Sequence, residues 1–556
     1  MGALDPTGAP EPADAPGPAP PAGRRWTGSA SVPLVVTCAL VGLAFAAPLV
    51  YLVGDSLAGG EDLVSLYTSA RTLVPLRNTV GLAAATALST AVVGTGLAWL
   101  TTRTDLPGRR LWATLAPLPL VFPSFVGALA LLAAVAPGGL LATPLGWVGV
   151  EPTRPTGFWG AWLVLTLFTT PYVLLPVAAR LVALPPSLEE SARLLGRRPW
   201  AVFRSVVLPQ ISGAISAGAL LVFLYTVSDF GVVVLLRYDT LTRAIYADRL
   251  LDRGQSVALS LLLALLSLAV VATERAVARR RPAVAVGPAQ GRPPLRVPLG
   301  RWRWPALAAV VAWVMLALGG PLASLGLWAW RGLTGEGSRL AGGAGDALDD
   351  LWVPAGNAVG IGLVTAGVAV AVLLPLAYLS ARHRSAVADL AHGLVATGFA
   401  LPGLVVALAV VSWAVELPEG LRLYQSFPLL IFAYVVHLGV QSLRAAQVAV
   451  GAVPSRLDES ARILGAGRVR RFATIDLPLM LPGLAAGGGL VLLSTMKELP
   501  ITLLVSPLGF ETLATRIWED AEAAFLAEAG LASLVLVGVS AVLTWALVVR
   551  RTERLA

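Results

Sequence analysis

Two charged islands repeat in an otherwise apolar chain. Glu190-Ser-Ala-Arg-Leu-Leu-Gly196, running on to Leu208-Pro209, returns 269 residues later as Glu459-Ser-Ala-Arg-Ile-Leu-Gly465, running on to Leu477-Pro478. In each copy the glycine follows the glutamate by six residues, and an aliphatic residue, Val206 or Ile475, follows the glycine by ten. A second pair of polar positions keeps the same offset: Ser228-Asp229-Phe230-Gly231 and Lys497-Glu498-Leu499-Pro500. The chemistry open to these residues is recognition and charge handling. Leu188, Ala192 and Leu195 at helical spacing, beside Glu189, Glu190 and Arg193, make a short amphipathic helix that ends near Gly196. Leu457, Ala461 and Leu464, beside Asp458, Glu459 and Arg462, repeat it before Gly465. Such a helix offers a partner an apolar ridge with a charged rim. The bland alternative for a single copy is a helix lying on a bilayer; two copies at matched positions argue for docking.

Asp229 and Glu498 place one carboxylate per half at equivalent depth within apolar runs. Ionisable groups there are costly and face the interior of a helix bundle, so the pair could line a cavity that attracts a cation. Lys497 would offset one of the two charges, which weakens a tight metal site, and no metal ligands are assigned. The bland alternative tucks these charges against the outer interface, with Lys497 paired to a neighbouring acid.

Several chemistries are excluded. Lys497 is the only lysine and follows Met496, so the Gly-Lys pair of a phosphate-cradling loop is missing and the chain is not itself a P-loop ATPase. His383, His392 and His437 form no H-E-x-x-H pattern. The first two belong near a helix end, and His437, within an apolar run, reads as a packed neutral side chain. The single cysteine, Cys38, permits neither a disulfide framework nor a thiolate cage. No convergent set of nucleophile, base and metal ligand is present, so catalytic residues are none.

The elements that must position these islands are set by composition. Hydrophobic residues make up 56% of 556 residues, charged residues only 13%, and mean hydropathy is +0.77. Soluble domains carry about a quarter charged residues, so this is a polytopic membrane protein. A spanning helix needs about 20 apolar residues, and twelve runs qualify. They fall at 34–53, 79–101, 111–135, 158–182, 210–236, 256–274, 305–329, 357–380, 387–413, 425–448, 479–505 and 528–549. Pro123, Pro171 and Pro402 fall inside runs, as spanning helices tolerate. The net charge of +9 is arginine-borne. Arg24 and Arg25, Arg103, Arg109 and Arg110, the central cluster from Arg279 to Arg303, and Arg550, Arg551 and Arg554 all fall on one face if the runs alternate. That pattern marks the cytoplasmic side, puts both termini there, and accounts for the basic charge without nucleic acid.

The expected organisation is a Pro- and Ala-rich cytoplasmic tail (1–30) and a first half (31–274) carrying a docking loop at 184–209. An Arg- and Pro-rich cytoplasmic linker (275–304) then leads to a second half (305–550) with a docking loop at 453–478. Self-comparison extends the repeat. Asn78-Thr-Val-Gly81 matches Asn357-Ala-Val-Gly360, and Phe122-Pro-Ser-Phe-Val-Gly-Ala-Leu-Ala130 matches Leu401-Pro-Gly-Leu-Val-Val-Ala-Leu-Ala409, both at an offset of 279. Thr240-Leu241 with Ile245-Tyr246 matches Thr512-Leu513 with Ile517-Trp518 at 272. Six spans per half make both halves enter the membrane in the same direction, a parallel duplication.

The docking segments resemble the EAA loop of permease subunits in ATP-binding-cassette importers. The resemblance implies an all-α fold of about twelve transmembrane helices in two homologous six-helix halves, the type I importer permease fold, in a bacterial inner membrane. It implies that Glu189, Glu190, Ala192, Gly196, Leu208 and Pro209, with Asp458, Glu459, Ala461, Gly465, Leu477 and Pro478, couple to two copies of a separate ATPase subunit. ATP and Mg would sit on that partner, leaving this chain without a cofactor. Lys497-Glu-Leu-Pro-Ile-Thr-Leu-Leu-Val with Gly509-Phe-Glu-Thr-Leu-Ala-Thr-Arg-Ile-Trp518, and Asp229-Phe-Gly with Asp239-Thr-Leu-Thr-Arg-Ala-Ile-Tyr246, are similar to the fused permeases of ferric-iron importers. That likeness implies iron transport from a periplasmic or lipid-anchored binding protein, with Asp229, Lys497 and Glu498 near the translocation path. Permeases for thiamine, polyamine, phosphonate or sulfate share the architecture, and a gradient-driven carrier of twelve spans is a more remote alternative.

Overall fold

The computed structural model describes residues 31–58, 63–147, 149, 153–280, 295–334, 344–383, 385–418 and 423–544. The tail at 1–30, the middle of the linker and the terminal arginines lie outside them. The described chain is helical apart from loops and one isolated backbone bridge between Thr104 and Val297. Among the described residues nine helices are long and apolar enough to span a bilayer, or twelve if each of three bent pairs counts as one span. Helices satisfy every backbone N–H and C=O within the segment, which hydrocarbon demands. Their outward faces carry bare apolar side chains such as Leu40, Leu43, Leu88 and Val92.

Three of the twelve expected spans are bent by more than 40°, two of them to about a right angle. The runs 111–135 and 387–413 turn by 97° and 105° at Phe122-Pro123 and Leu401-Pro402. A residue before proline is driven out of the α region, and Phe122 (ψ 135°) and Leu401 (ψ 133°) are extended. The helices Ser124–Val135 and Gly403–Val415 then start afresh. At Pro171 the path stays within one span, Phe158–Ala183, whereas its counterpart in the second half turns by 62° between Phe427–Leu438 and Val440–Ala452.

Three further prolines leave a different mark. The five-residue π turns Phe203–Val207, Met315–Gly319 and Phe472–Asp476 each end two residues before a proline: Pro209, Pro321 and Pro478. Proline has no N–H for the carbonyl four residues back and its ring clashes there, so the helix widens for one turn and continues.

The leading helix of each half packs on the opposite half. Val32–Ala58 lies against Ala386–Ala400, where a Cβ at Gly42 would come within 3.1 Å of the Ala391 Cα. Gly320–Thr334 lies against Ser124–Val135; Ser324 Oγ donates to the Ala130 carbonyl at 3.0 Å and Trp328 Nε1 to that of Ala133 at 2.9 Å. At the outer surface Tyr51 donates to Glu416 at 2.9 Å, and Arg253 bridges Glu416 and Tyr51. The Arg253 guanidinium holds the Glu416 carboxyl below the usual carboxylate range.

The linker is shorter than expected at both ends. The helix Arg253–Arg280 runs past residue 275, and the first turn of the second half begins at Gly300. Its described stretch is laced onto the first half: Val297 N donates to the Arg103 carbonyl at 2.8 Å and Leu299 N to Asp105 Oδ1 at 2.8 Å.

Candidate coupling surface and translocation path

Each repeat loop holds a nine-residue helix, Pro186–Leu194 and Ser455–Ile463, entered through an extended proline, Pro185 or Pro454. Both close identically. Gly196 N donates to the Arg193 carbonyl (2.9 Å) and Arg197 N to that of Ala192 (3.2 Å); Gly465 N donates to Arg462 (3.0 Å) and Ala466 N to Ala461 (2.9 Å). This is the paired closure of a Schellman turn, and it requires a left-handed residue after the helix. Gly196 (φ +76°) and Gly465 (φ +77°) supply it.

The turn decides what faces out. Ala192 and Ala461 are 7% and 6% exposed, their small side chains letting the helix seat on the membrane domain. Leu194 and Leu195 are 88% and 81% exposed, and Ile463 and Leu464 86% and 85%. Trp200 and Val469 extend the two bare apolar surfaces, with Glu190 and Glu459 exposed on the same helices. Leu188 and Leu457 are exposed as the spacing predicts, but Ala192 and Ala461, expected in the same outward ridge, face inward, and Leu194 and Ile463 join the exposed surface instead. Leu208-Pro209 and Leu477-Pro478 open the long helices that follow the π turns.

The two adjacent glutamates of the first loop part company. Glu190 points out, whereas Glu189 is buried and pairs with a fully buried Arg103 at 2.9 Å. Arg103 Nη1 also reaches the Leu295 carbonyl of the linker at 3.5 Å. Arg103 is therefore a tie rather than a flanking charge, a role that residue counting missed although Arg103 and Arg382 share the 279 offset. Arg382 Nη2 instead donates to the Val453 carbonyl of the second loop at 2.9 Å. The Asp458 side chain lies outside the described residues.

Deeper in the bundle, Asp229 and Glu498 sit at breaks that lead into short helices, Gly231–Leu235 and Pro500–Val505. Each carboxylate caps its helix: Val232 N donates to Asp229 Oδ1 at 2.9 Å and Ile501 N to Glu498 Oε1 at 3.2 Å. Ser124 Oγ, at the 97° bend, donates to Asp229 Oδ2 at 2.6 Å. The matching residue at the other bend is Gly403, where an added Cβ would lie 2.7 Å from Glu498 Oε1, so the longer acid fills the missing side chain's place. His437 Nε2 stands 4.0 Å from Glu498 Oε2, with its ring stacked on Phe399. Gly231 runs directly beneath Phe125, leaving no room for a Cβ. Phe230 stacks 5.1 Å from Trp518 of the second half.

The structure thus brings Asp229 and Glu498 to equivalent places, each held inside its own half. Lys497 crosses between halves: its Nζ donates to the Leu120 carbonyl at 3.4 Å, beside the first bend. Among the described residues no three His, Cys, Asp or Glu side chains could hold a metal ion.

Residues 92–281 and 373–554 each match the family described as binding-protein-dependent transport system inner membrane component. The chain belongs to that family. It is a multi-pass permease subunit of an ATP-binding-cassette importer, a transport component with its two family units fused in one chain. This permease is 28% identical to the Fe(3+)-transport system permease protein FbpB 2 of Haemophilus influenzae over 91% of its own length and 95% of that relative. It is 34% identical to the sulfate transport system permease protein CysT of Escherichia coli over 26% of its length and 52% of that relative. Among solved structures, it is similar to a bacterial ABC transporter involved in the import of the acidic polysaccharide alginate. That similarity has 16% identity and a TM-score of 0.36, covering 41% of this chain and 88% of that one.

Proposed function

We propose that this permease forms the membrane path for ferric iron delivered by a binding protein, driven by two copies of a separate ATPase. The carrying observation is the pair of loop helices with the same Schellman closure and the same bare apolar tip, Leu194-Leu195 and Ile463-Leu464. Two equivalent knobs suit two equivalent sockets, and a gradient-driven carrier has no use for them. Glu190, Gly196, Glu459 and Gly465 form the ATPase contact in this reading; Glu189, Ala192 and Ala461 seat the helices, and Leu208-Pro209 and Leu477-Pro478 begin the helices that carry the motion inward. The loops and both termini face the cytoplasm, where the arginines concentrate. ATP and Mg belong to the partner, whose closure draws the loop helices together and opens the path outward. Iron as cargo is supported by the end-to-end likeness to the ferric permease, against partial likeness to sulfate permeases.

The test is ATPase stimulation of the reconstituted permease and its co-purifying ATPase, titrated with the cognate binding protein loaded with Fe(III), sulfate, thiamine or a polyamine. Stimulation by the iron-loaded protein alone is expected. Stimulation by another load reassigns the cargo, and absence of any co-purifying ATPase removes the coupling reading.

A further inference from the structure

The charges that the path leaves free are the opposite of those a bare cation needs. Both oxygens of Asp229 accept hydrogen bonds, from Val232 N and Ser124 Oγ. Glu498 is bound to Ile501 N through one oxygen and faces His437 with the other. Both carboxylates are engaged within their own halves, each capping the short helix that follows it.

Lys497 is placed differently. Arg103, Arg253 and Arg516 each have a carboxylate partner. Lys497 has none within 4.0 Å among the described residues; its one bond is to a carbonyl, that of Leu120 at 3.4 Å. An ammonium has three donors, so two remain. It follows the 28-residue span Val469–Met496, inside the apolar run 479–505, and its partner adjoins the 97° bend of the other half. A cation at such depth is costly and is retained where a partner of opposite charge comes and goes.

We propose that Lys497 is the oxyanion contact of the translocation path, so that ferric iron crosses this permease as a complex with a bound oxyanion or carboxylate rather than as the bare trivalent ion. The proposal rests on the ferric reading above. A bare Fe(III) near an unmatched ammonium in a low-dielectric bundle is repelled. An iron-bound phosphate, carbonate or citrate presents oxygen acceptors to the two free N–H donors and reverses the sign of that interaction. The position between halves suits a transient contact, because relative motion of the halves makes and breaks it.

The experiment uses proteoliposomes holding the complete importer, with the binding protein loaded with radioiron and with separately labelled citrate or phosphate; a parallel arm offers labelled sulfate. Iron and the oxyanion label entering together is the expected result. In Lys497→Met uptake should fall by about tenfold or more, and in Lys497→Arg, which keeps the charge, it should stay within about threefold of the parent. Iron entering without its label, or at the parental rate in Lys497→Met, overturns the proposal and leaves the ferric reading standing. Lysine-dependent entry of sulfate with no entry of iron overturns the ferric reading and keeps Lys497 as an oxyanion contact. The co-transport ratio is read on the unsubstituted protein, so it holds even if a variant fails to assemble.

Discussion

The two halves solve one problem with exchanged parts. At the first bend a serine meets an aspartate; at the second a glycine meets a glutamate. The methylene that leaves residue 403 reappears in residue 498, so the volume at the break is kept while the hydroxyl bond is lost. The loop helices differ in the same spirit. In the first half a buried ion pair, Glu189 to Arg103, anchors the helix and catches the linker at Leu295, whereas in the second Arg382 binds a backbone carbonyl of the loop. The two copies share their backbone geometry and differ in the side chains that hold it. The first half ties itself to the connector, and the second contributes the ammonium that reaches across.

The largest expected effect comes from cutting the tie. Glu189→Ala strands Arg103 without its carboxylate, and losing one partner of a buried pair costs about 3–5 kcal/mol. Thermal unfolding of the solubilised protein should show a clear drop, and ATPase stimulation should fall with it, while Glu190→Ala leaves stability near the parent. Equal, small shifts for both would mean that the pair is not an anchor.

A mutant cycle sharpens the exchange at the bends. Gly403→Ser drives a side chain into Glu498 and should cost about 1–3 kcal/mol, as over-packing does. Combining it with Glu498→Asp rebuilds the first-half pair and should recover most of that loss. No recovery would show that the halves are not interchangeable at this point.

Backbone comes next. A Cβ at Gly196 or Gly465 meets nothing within 4 Å, so alanine there costs only the left-handed backbone, about 1–2 kcal/mol. The two substitutions should be nearly equal, and each should lower transport with membrane insertion intact. Unequal losses of transport would mean that the two ATPase contacts are not equivalent.

The smallest effect is at the outer surface. Glu416→Gln breaks a half-exposed bridge to Arg253 worth about 0.2–1 kcal/mol. Because Arg253 lowers the Glu416 pKa, the contribution is present above the ordinary carboxylate range and disappears as pH falls through the lowered value. The stability gap between parent and Glu416→Gln should therefore close in acid.

Much of this was legible from spacing. Twelve apolar runs, two six-helix halves and the paired loop helices ending at Gly196 and Gly465 follow from periodicity and composition, because a bilayer imposes one length and one hydrogen-bonding rule on every span. The right-angle bends at Pro123 and Pro402 were not legible. A proline inside an apolar run reads the same whether a helix absorbs it, as near Pro171, widens around it, as before Pro209 and Pro478, or breaks. Neighbouring helices choose among these outcomes.

The chain by itself therefore determined the membrane environment, the duplication, the positions of the loop helices and the charged residues in the apolar runs. All of these are carried by local composition and by repeats at fixed offsets. Only the tertiary structure decided that Glu189 faces inward while Glu190 faces outward and that Arg103 is a buried tie. It also decided that the leading helices trade halves, and that Lys497 answers to a carbonyl of the other half rather than to an acid beside it. Those outcomes depend on contacts between residues hundreds of positions apart, which the spacing within one segment does not encode.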